Sequence, residues 1–508
     1  RIPSLIPMRL VRLLVAMLPL LATGCASLGV STLAPGARYV ETDSKAAACA
    51  RFFESLDDAV HQAGVADVQE ARLPGFPHLR INRFFTGDWR PTPGADRFEA
   101  WAEKLMQLDR EARDKEIANL PESFRTGIGA GKGDPDALIA RVQDCGEHLL
   151  GLDLSSDERR EQLFRRARVA DAYRGFYRLA GLYPLTSIAF YAGVKELQEE
   201  IERDFSIPMN TIPVKGRLLR YVPASPVAAS SDEIARILRR ASDNPLRFPD
   251  PEPADRARLL SAFAPVLEID VATQADLIGR PSLETSSVAR VDTEDPVVFT
   301  RISHTRFESN TLLQLNYIFW FPSRPKKGAV DILAGHLDGI TWRVTLDRDG
   351  TPLIYDSMHN CGCYHLFLPT KKLRPRKTRE GFEEPLLSPQ QMRQESGRAV
   401  VRIASRSHYL QRVYYQSPSV SDGHTYRKED YALLRSLPAS GGGRKSMFGE
   451  DSLVRGSERA ERWLFWPMGV PSAGAMRQWG HHATAFVGRR HFDDPALIAR
   501  YFERASGE

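Results

Sequence analysis

The densest knot of groups able to do chemistry in this 508-residue chain is His359-Asn360-Cys361-Gly362-Cys363-Tyr364-His365. Thiolates and neutral imidazoles are nucleophiles, proton acceptors and metal ligands, and four such side chains fall here within one short stretch. Upstream, Ile340 to Leu346 alternates as a strand does, Asp347-Arg348-Asp349-Gly350 supplies a turn, and Thr351 to Asp356 returns. If Leu346 pairs with Thr351, Trp342 stands opposite Tyr355, Asp338 opposite His359, and His336 opposite Cys361. Directly opposed side chains have Cβ atoms about 4.5–5.5 Å apart. His336, Asp338, His359, Cys361, Cys363 and His365 are therefore predicted to share one end of a hairpin.

Three chemistries suit that set. Imidazole, thiolate and carboxylate together are the ligands of zinc or another transition metal. His336-Leu337-Asp338 resembles the His-x-Asp element of non-haem iron oxygenases, which leaves His408 or His482 as the distal ligand. Alternatively Cys361 or Cys363 attacks an acyl carbon, His359 or His365 takes the proton, and Asp338 orients the ring. The close Cys-x-Cys spacing counts against that reading, because oxidation consumes the nucleophile. In the third reading the two cysteines form a loop-stiffening disulfide or simply pack, and the histidines are satisfied polar groups. His-Glu-x-x-His and Gly-x-Ser-x-Gly are absent, which removes the commonest zinc-protease and serine-hydrolase patterns.

The elements that must position these residues divide in two. From about 43 to 205 apolar residues recur at helical spacing, over Asp43–Ala63, Ala95–Leu120, Asp134–Leu150 and Ser156–Phe205. Phe98, Trp101, Leu105 and Leu108 form a stripe that reads as core. Cys49 and Cys145 lie in this helical domain and are predicted to pair. From 210 to 508 the pattern changes to prolines, short helices and alternating strands. On Leu312–Phe321 the residues Leu313, Leu315, Tyr317, Phe319 and Phe321 face one way, while Gln314, Asn316 and Trp320 face the other, as a pocket wall or a solvated edge. Lys371–Gly397 reads as a surface excursion, His481-His482 and His491 as basic residues flanking an apolar strand, and Asp493-Asp494-Pro495 as the start of a closing helix to about Arg504. Gly127–Gly133 and Gly441–Ser446 imitate phosphate loops but lack the residues that such loops require. The fold class expected is α+β: an N-terminal helical domain and a larger mixed domain built on antiparallel strands.

The first residues carry a different signal. Met8-Arg9-Leu10-Val11-Arg12 is basic, Leu13–Leu21 is apolar but shorter than the about 20 residues that span a bilayer, and small residues precede Cys25. Leu21-Ala22-Thr23-Gly24-Cys25 resembles the lipobox of bacterial lipoprotein precursors. That resemblance implies cleavage after residue 24 (with Met8 as the start), lipid such as palmitate on Cys25, and a tether over 25–42. Ala26 in place of an aspartate implies the outer membrane, with the body facing the periplasm. A composition of 42% hydrophobic and 26% charged residues is that of a folded chain. The formal charge of only +5 includes three leader arginines and gives no electrostatic case for nucleic acid. The sequence thus points to a lipid-anchored envelope protein with a metal or thiol site. The other reading is a non-catalytic lipoprotein that binds a small molecule or an envelope partner through the helical domain or the Gln314, Asn316 and Trp320 face.

Overall fold

The computed structural model describes residue 39 and residues 43–87, 96–128, 133–328, 330–376, 383–393, 397–416 and 423–505. The leader, Cys25 and most of the tether lie outside the described residues. So does part of the Gly127–Gly133 loop.

The N-terminal half is built on helices α1 (Ser44–Gln62), α2 (Asp96–Asn119), α3 (Pro135–Asp153) and α4 (Tyr183–Ser206). Asp43 and Asp134 cap α1 and α3 by accepting from Ala46 N and Asp136 N, and Pro135 occupies the first turn, where a missing N–H costs nothing. Phe98, Trp101 and Leu105 are buried as the stripe requires, and Leu108 packs at the margin. Two expectations fail here. Ser156 does start a helix, but it runs only over Asp157–Arg166, and a separate turn at Gly175–Ala180 precedes α4. The segment also holds a hairpin, Ala71–Leu73 with Phe76–Ile81, which packs on α2. The hairpin carries Arg80 inward to Asp109 and Glu116 at 3.0 and 2.8 Å, all three side chains being buried.

Ten strands of the C-terminal half form one sheet: β1 (Arg217–Pro223), β2 (Val266–Val271), β3 (Val297–Phe307), β4 (Asn310–Arg324), β5 (Gly335–Leu346), β6 (Pro352–His359), β7 (Leu366–Pro369), β8 (Arg398–Ile403), β9 (Leu410–Gln416) and β10 (His424–Asp430). Their order is β7-β6-β5-β4-β3-β10-β1-β2-β8-β9. Pairing is antiparallel except where β10 meets β3 and β1 and where β2 meets β8. The fold is α+β, with a mixed and mostly antiparallel sheet.

The sheet curls until its ends meet. Tyr355 on β6 reaches Tyr415 on β9, hydroxyl to hydroxyl, at 2.8 Å. Within the stretch expected as a surface excursion, Leu387 and Met392 bridge to β7 and are buried, while the Gln390 amide donates to Val413 O and accepts from Val413 N on β9. One core fills the concave side and includes Leu313, Leu315, Tyr317, Phe319 and Phe321, as the alternation predicts. The opposite face is no solvated edge. Gln314, Asn316 and Trp320 are all buried beneath the helical segment and the irregular 431–492 chain. The closing helix spans Leu497–Tyr501 and gives way to a short strand, Phe502–Arg504.

Cys49 on α1 and Cys145 on α3 form a disulfide that closes a separation of 96 residues. Cross-linking over such a length removes enough unfolded-state entropy to stabilise by about 3–4 kcal/mol. A Cys49→Ser, Cys145→Ser double variant should lose about that much unfolding free energy by urea denaturation. A loss below about 1 kcal/mol would show that helix packing alone holds this half together.

Candidate functional site

The β5–β6 hairpin exists, with a register two residues away from the expected one. Asp347 N donates to Thr351 O, so Leu346 pairs with Pro352, and an irregularity before Ile354 shifts the ladder again. Trp342 therefore opposes Ser357, and His359 opposes Ile340. Because strand faces repeat every two residues, the slip preserves the faces. Trp342 still stacks on Tyr355, and His359 still meets Asp338, with Nδ1 3.3 Å from Oδ1.

Asp338 is fully buried and is shared by three cations or potential cations. Arg459 Nη2 stands 3.3 Å from its Oδ1, beside His359, and His408 Nδ1 lies 2.9 Å from its Oδ2. Burial pushes this carboxyl up, but Arg459 and the two histidines outweigh it and hold the pKa well below the usual range. His408 stacks on Phe321 at 3.8 Å and sits between Asp338 and Asp276, whose Oδ1 is 3.4 Å from Nε2. Burial lowers its pKa, yet the two carboxylates prevail and raise it, which favours the imidazolium. For His359 burial dominates, and the ring is held neutral.

The other histidines are spent elsewhere. His336 turns to the Ala289 carbonyl at 2.6 Å, because Leu337 between it and Asp338 takes a left-handed φ of +56°. The His-x-Asp pair thus does not converge, although His408 does reach Asp338. His365 pairs with Asp356 at 2.9 Å in a separate buried network with Arg343. His482 binds Asn360 O, His481 binds Val68 O, and His491 pairs with Asp171; the chain between them is irregular and not a strand. Among the described residues no three His, Cys, Asp or Glu are arranged to hold a metal ion.

The thiols occupy a turn of their own. His359 N donates to Cys363 O and Gly362 N to His359 O, closing a loop in which Gly362 has φ +95° and lies so close to Ala483 O that a Cβ would clash at 2.5 Å. Cys361 and Cys363 are free thiols. Cys363 N donates to Cys361 Sγ at 3.4 Å. Interaction between the two neighbouring sulfurs lowers the Cys361 pKa against its burial and, with burial, raises that of Cys363. A thiol with a lowered pKa is the better nucleophile of such a pair, and here it is the buried Cys361, with Cys363 the more accessible of the two. No histidine hydrogen-bonds to either sulfur among the described residues, so the imidazole base of the expected triad is not in place.

Both cysteines line a cavity of about 420 Å³ whose other walls are mainly apolar, including Phe190 and Val194 of α4, Phe465 and Phe486. Glu461 lines it too. Burial raises the pKa of that carboxyl to about 7, against the pull of Arg459 and Arg324, and the side chain makes no hydrogen bond among the described residues. Glu461 and Arg459 were missed in the sequence because they lie about a hundred residues beyond the cysteines, in a stretch with no strand or helix period. No family model, curated protein or solved structure matches this chain.

Asp338→Asn should cost about 3–5 kcal/mol in urea unfolding, since it leaves Arg459 buried without its anion and His408 with Asp276 alone. For His408 the raised folded pKa means that its contribution is complete below about pH 6.5 and is lost as pH climbs through the folded value. The stability gap between wild type and His408→Gln should therefore narrow as pH rises above about 6.5, and a constant gap would refute the raised pKa.

Proposed function

We propose that this chain is a lipoprotein anchored through Cys25 to a bacterial membrane, most simply the outer membrane, with its body in the periplasm. Its C-terminal half carries a thiol site for a substrate with an apolar body. The observation that carries the reading is the pair of free thiols, Cys361 and Cys363, at the wall of an apolar cavity that also holds Glu461. The Cys361 thiolate attacks an acyl carbon, the C–S bond forms as the bond to the leaving group breaks, and the carboxyl form of Glu461 gives the leaving group its proton. Water then cleaves the thioester and returns both groups to their starting states. Asp338, His359 and Arg459 are positioning residues that fix the loop from behind.

Three further features support this reading. Leu337, Tyr364 and His408 all hold left-handed φ angles around the loop, at +56°, +54° and +53°, and such strain concentrates where geometry serves function. Leu182, Leu185 and Ile188 stand exposed on the helix that covers the cavity, as do Trp463 and Leu464 next to its Phe465 wall. An apolar surface of that kind suits contact with lipid or another chain. The Cys49–Cys145 disulfide fits an oxidising compartment. No described helix is long and apolar enough to cross a membrane.

Iodoacetamide labelling followed by peptide mass mapping should modify Cys361 at least about tenfold faster than a free thiol at pH 7, and Cys363→Ser should slow it. Equal, slow labelling of both cysteines would refute the nucleophile. A second reading, a metal held by the two adjacent sulfurs, predicts stoichiometric zinc in the purified protein that is lost in Cys361→Ser, Cys363→Ser. Labelled palmitate should enter wild type and not Cys25→Ala in a Gram-negative host, and its failure to enter wild type would remove the anchor.

A further inference from the structure

A second cavity, of about 440 Å³, lies where the helical segment meets the outer face of the sheet, and its chemistry is the opposite of the first. Six basic and six acidic side chains line it. Several of these charges are committed to one another or to close neighbours: Arg83 to Asp493 at 3.1 Å, Lys104 to Asp250 at 2.7 Å, and Arg435 to Asp67 at 2.6 Å.

Arg301 and Glu70 are not so committed. The Arg301 guanidinium lies against Trp479 and Tyr431, 4.9 and 5.7 Å from the ring centroids, and its Nε has no hydrogen-bond partner. Its nearest carboxylate is that of Glu70, 3.9 Å away, a distance too long for a hydrogen bond. Glu70 is 5% exposed and accepts only from Gln69 through Oε1, while its Oε2 is unsatisfied. Arg435, 3% exposed, leaves Nη2 without a partner, and Gln69 leaves Oε1. Four side chains on one cavity thus each keep a polar atom unmatched, and leaving such atoms buried is costly unless something completes them.

We propose that this cavity binds a free α-amino acid, whose carboxylate is taken by Arg301 with Arg435 and whose ammonium is taken by Glu70. A balanced set of wall charges favours a ligand with no net charge but two separated charges, since a simple anion or cation would leave one sign in excess. An α-amino acid carries its carboxylate and ammonium on one carbon, close together, which matches an arginine and a glutamate 3.9 Å apart, just beyond bonding distance. The planar guanidinium fork suits a carboxylate. Burial raises the Glu70 pKa, and an entering ammonium reverses that penalty. Gln314, also on the wall and hydrogen-bonded to Ser303 and Thr345, is left to meet the ligand side chain. The assignment is independent of the thiol site.

Isothermal titration of the purified full chain with each standard amino acid in turn tests the proposal, with propionate and propylamine as controls bearing one charge each. Saturable one-to-one binding of at least one amino acid is expected, with neither control bound. Arg301→Lys, which keeps the charge and loses the fork, and Glu70→Gln should each weaken it by at least about tenfold at unchanged melting temperature. Should one variant fail to fold, the other carries the test. Cys361→Ser should bind as wild type does, which separates this site from the thiol reading. Binding of propionate as tight as that of the amino acid, binding by both variants equal to wild type, or no binding by any amino acid overturns the proposal.

Discussion

One buried carboxylate fixes the geometry of the C-terminal half. Asp338 is shut off from bulk solvent, so its charge persists only because Arg459, His359 and His408 surround it. Those partners come from three separate parts of the chain: the end of β6, the β8–β9 connection and the irregular C-terminal segment. Moving any of them exposes a buried charge, so the four segments are bound to a single arrangement. The Cys361 loop leaves directly from His359 and inherits that placement, as does Glu461, two residues from Arg459. A residue that looks catalytic by type is thereby structural by position, and the groups that face the cavity are its neighbours.

The legible parts of the chain are those governed by local rules. Caps at Asp43, Asp134 and Ser156 mark helix starts within a residue, and the alternation on β4 assigns each side chain to its face. The hairpin that bears the site is readable as well, because Asp349-Gly350 can only turn. Its register is not, since the ladder starts one residue late, at Leu346 and Pro352, and slips again after that proline, and neither step is fixed by the alternation of side chains. The break in the helical segment after Arg166 is invisible to periodicity, as is the three-residue strand at Ala71. Neighbours such as Glu461 and Arg459 reach the cysteines only through the path of a segment stabilised by tertiary contacts, and no spacing rule encodes that path.

Three carboxyl groups show how environment sets behaviour. Asp338 is crowded by positive groups that hold its pKa down, Glu461 is pushed up to about 7 by burial against the pull of Arg459 and Arg324, and burial also raises Glu70, which has one loose arginine near it. Residue type and burial are nearly the same in all three. The difference lies in how many positive groups come within hydrogen-bonding reach, which decides whether a carboxyl holds structure, moves a proton or waits for a counter-charge.

The Gln390 clasp bears on how copies of this chain coexist. A ten-stranded sheet left open would present two rows of unpaired backbone groups, each a template for a neighbouring strand. Here residues 387–392 occupy part of the β7 row, and a side-chain amide imitates the missing strand at Val413 on the other. The same short stretch therefore engages main chain at both borders of the sheet, which narrows the edge open to pairing with a second copy.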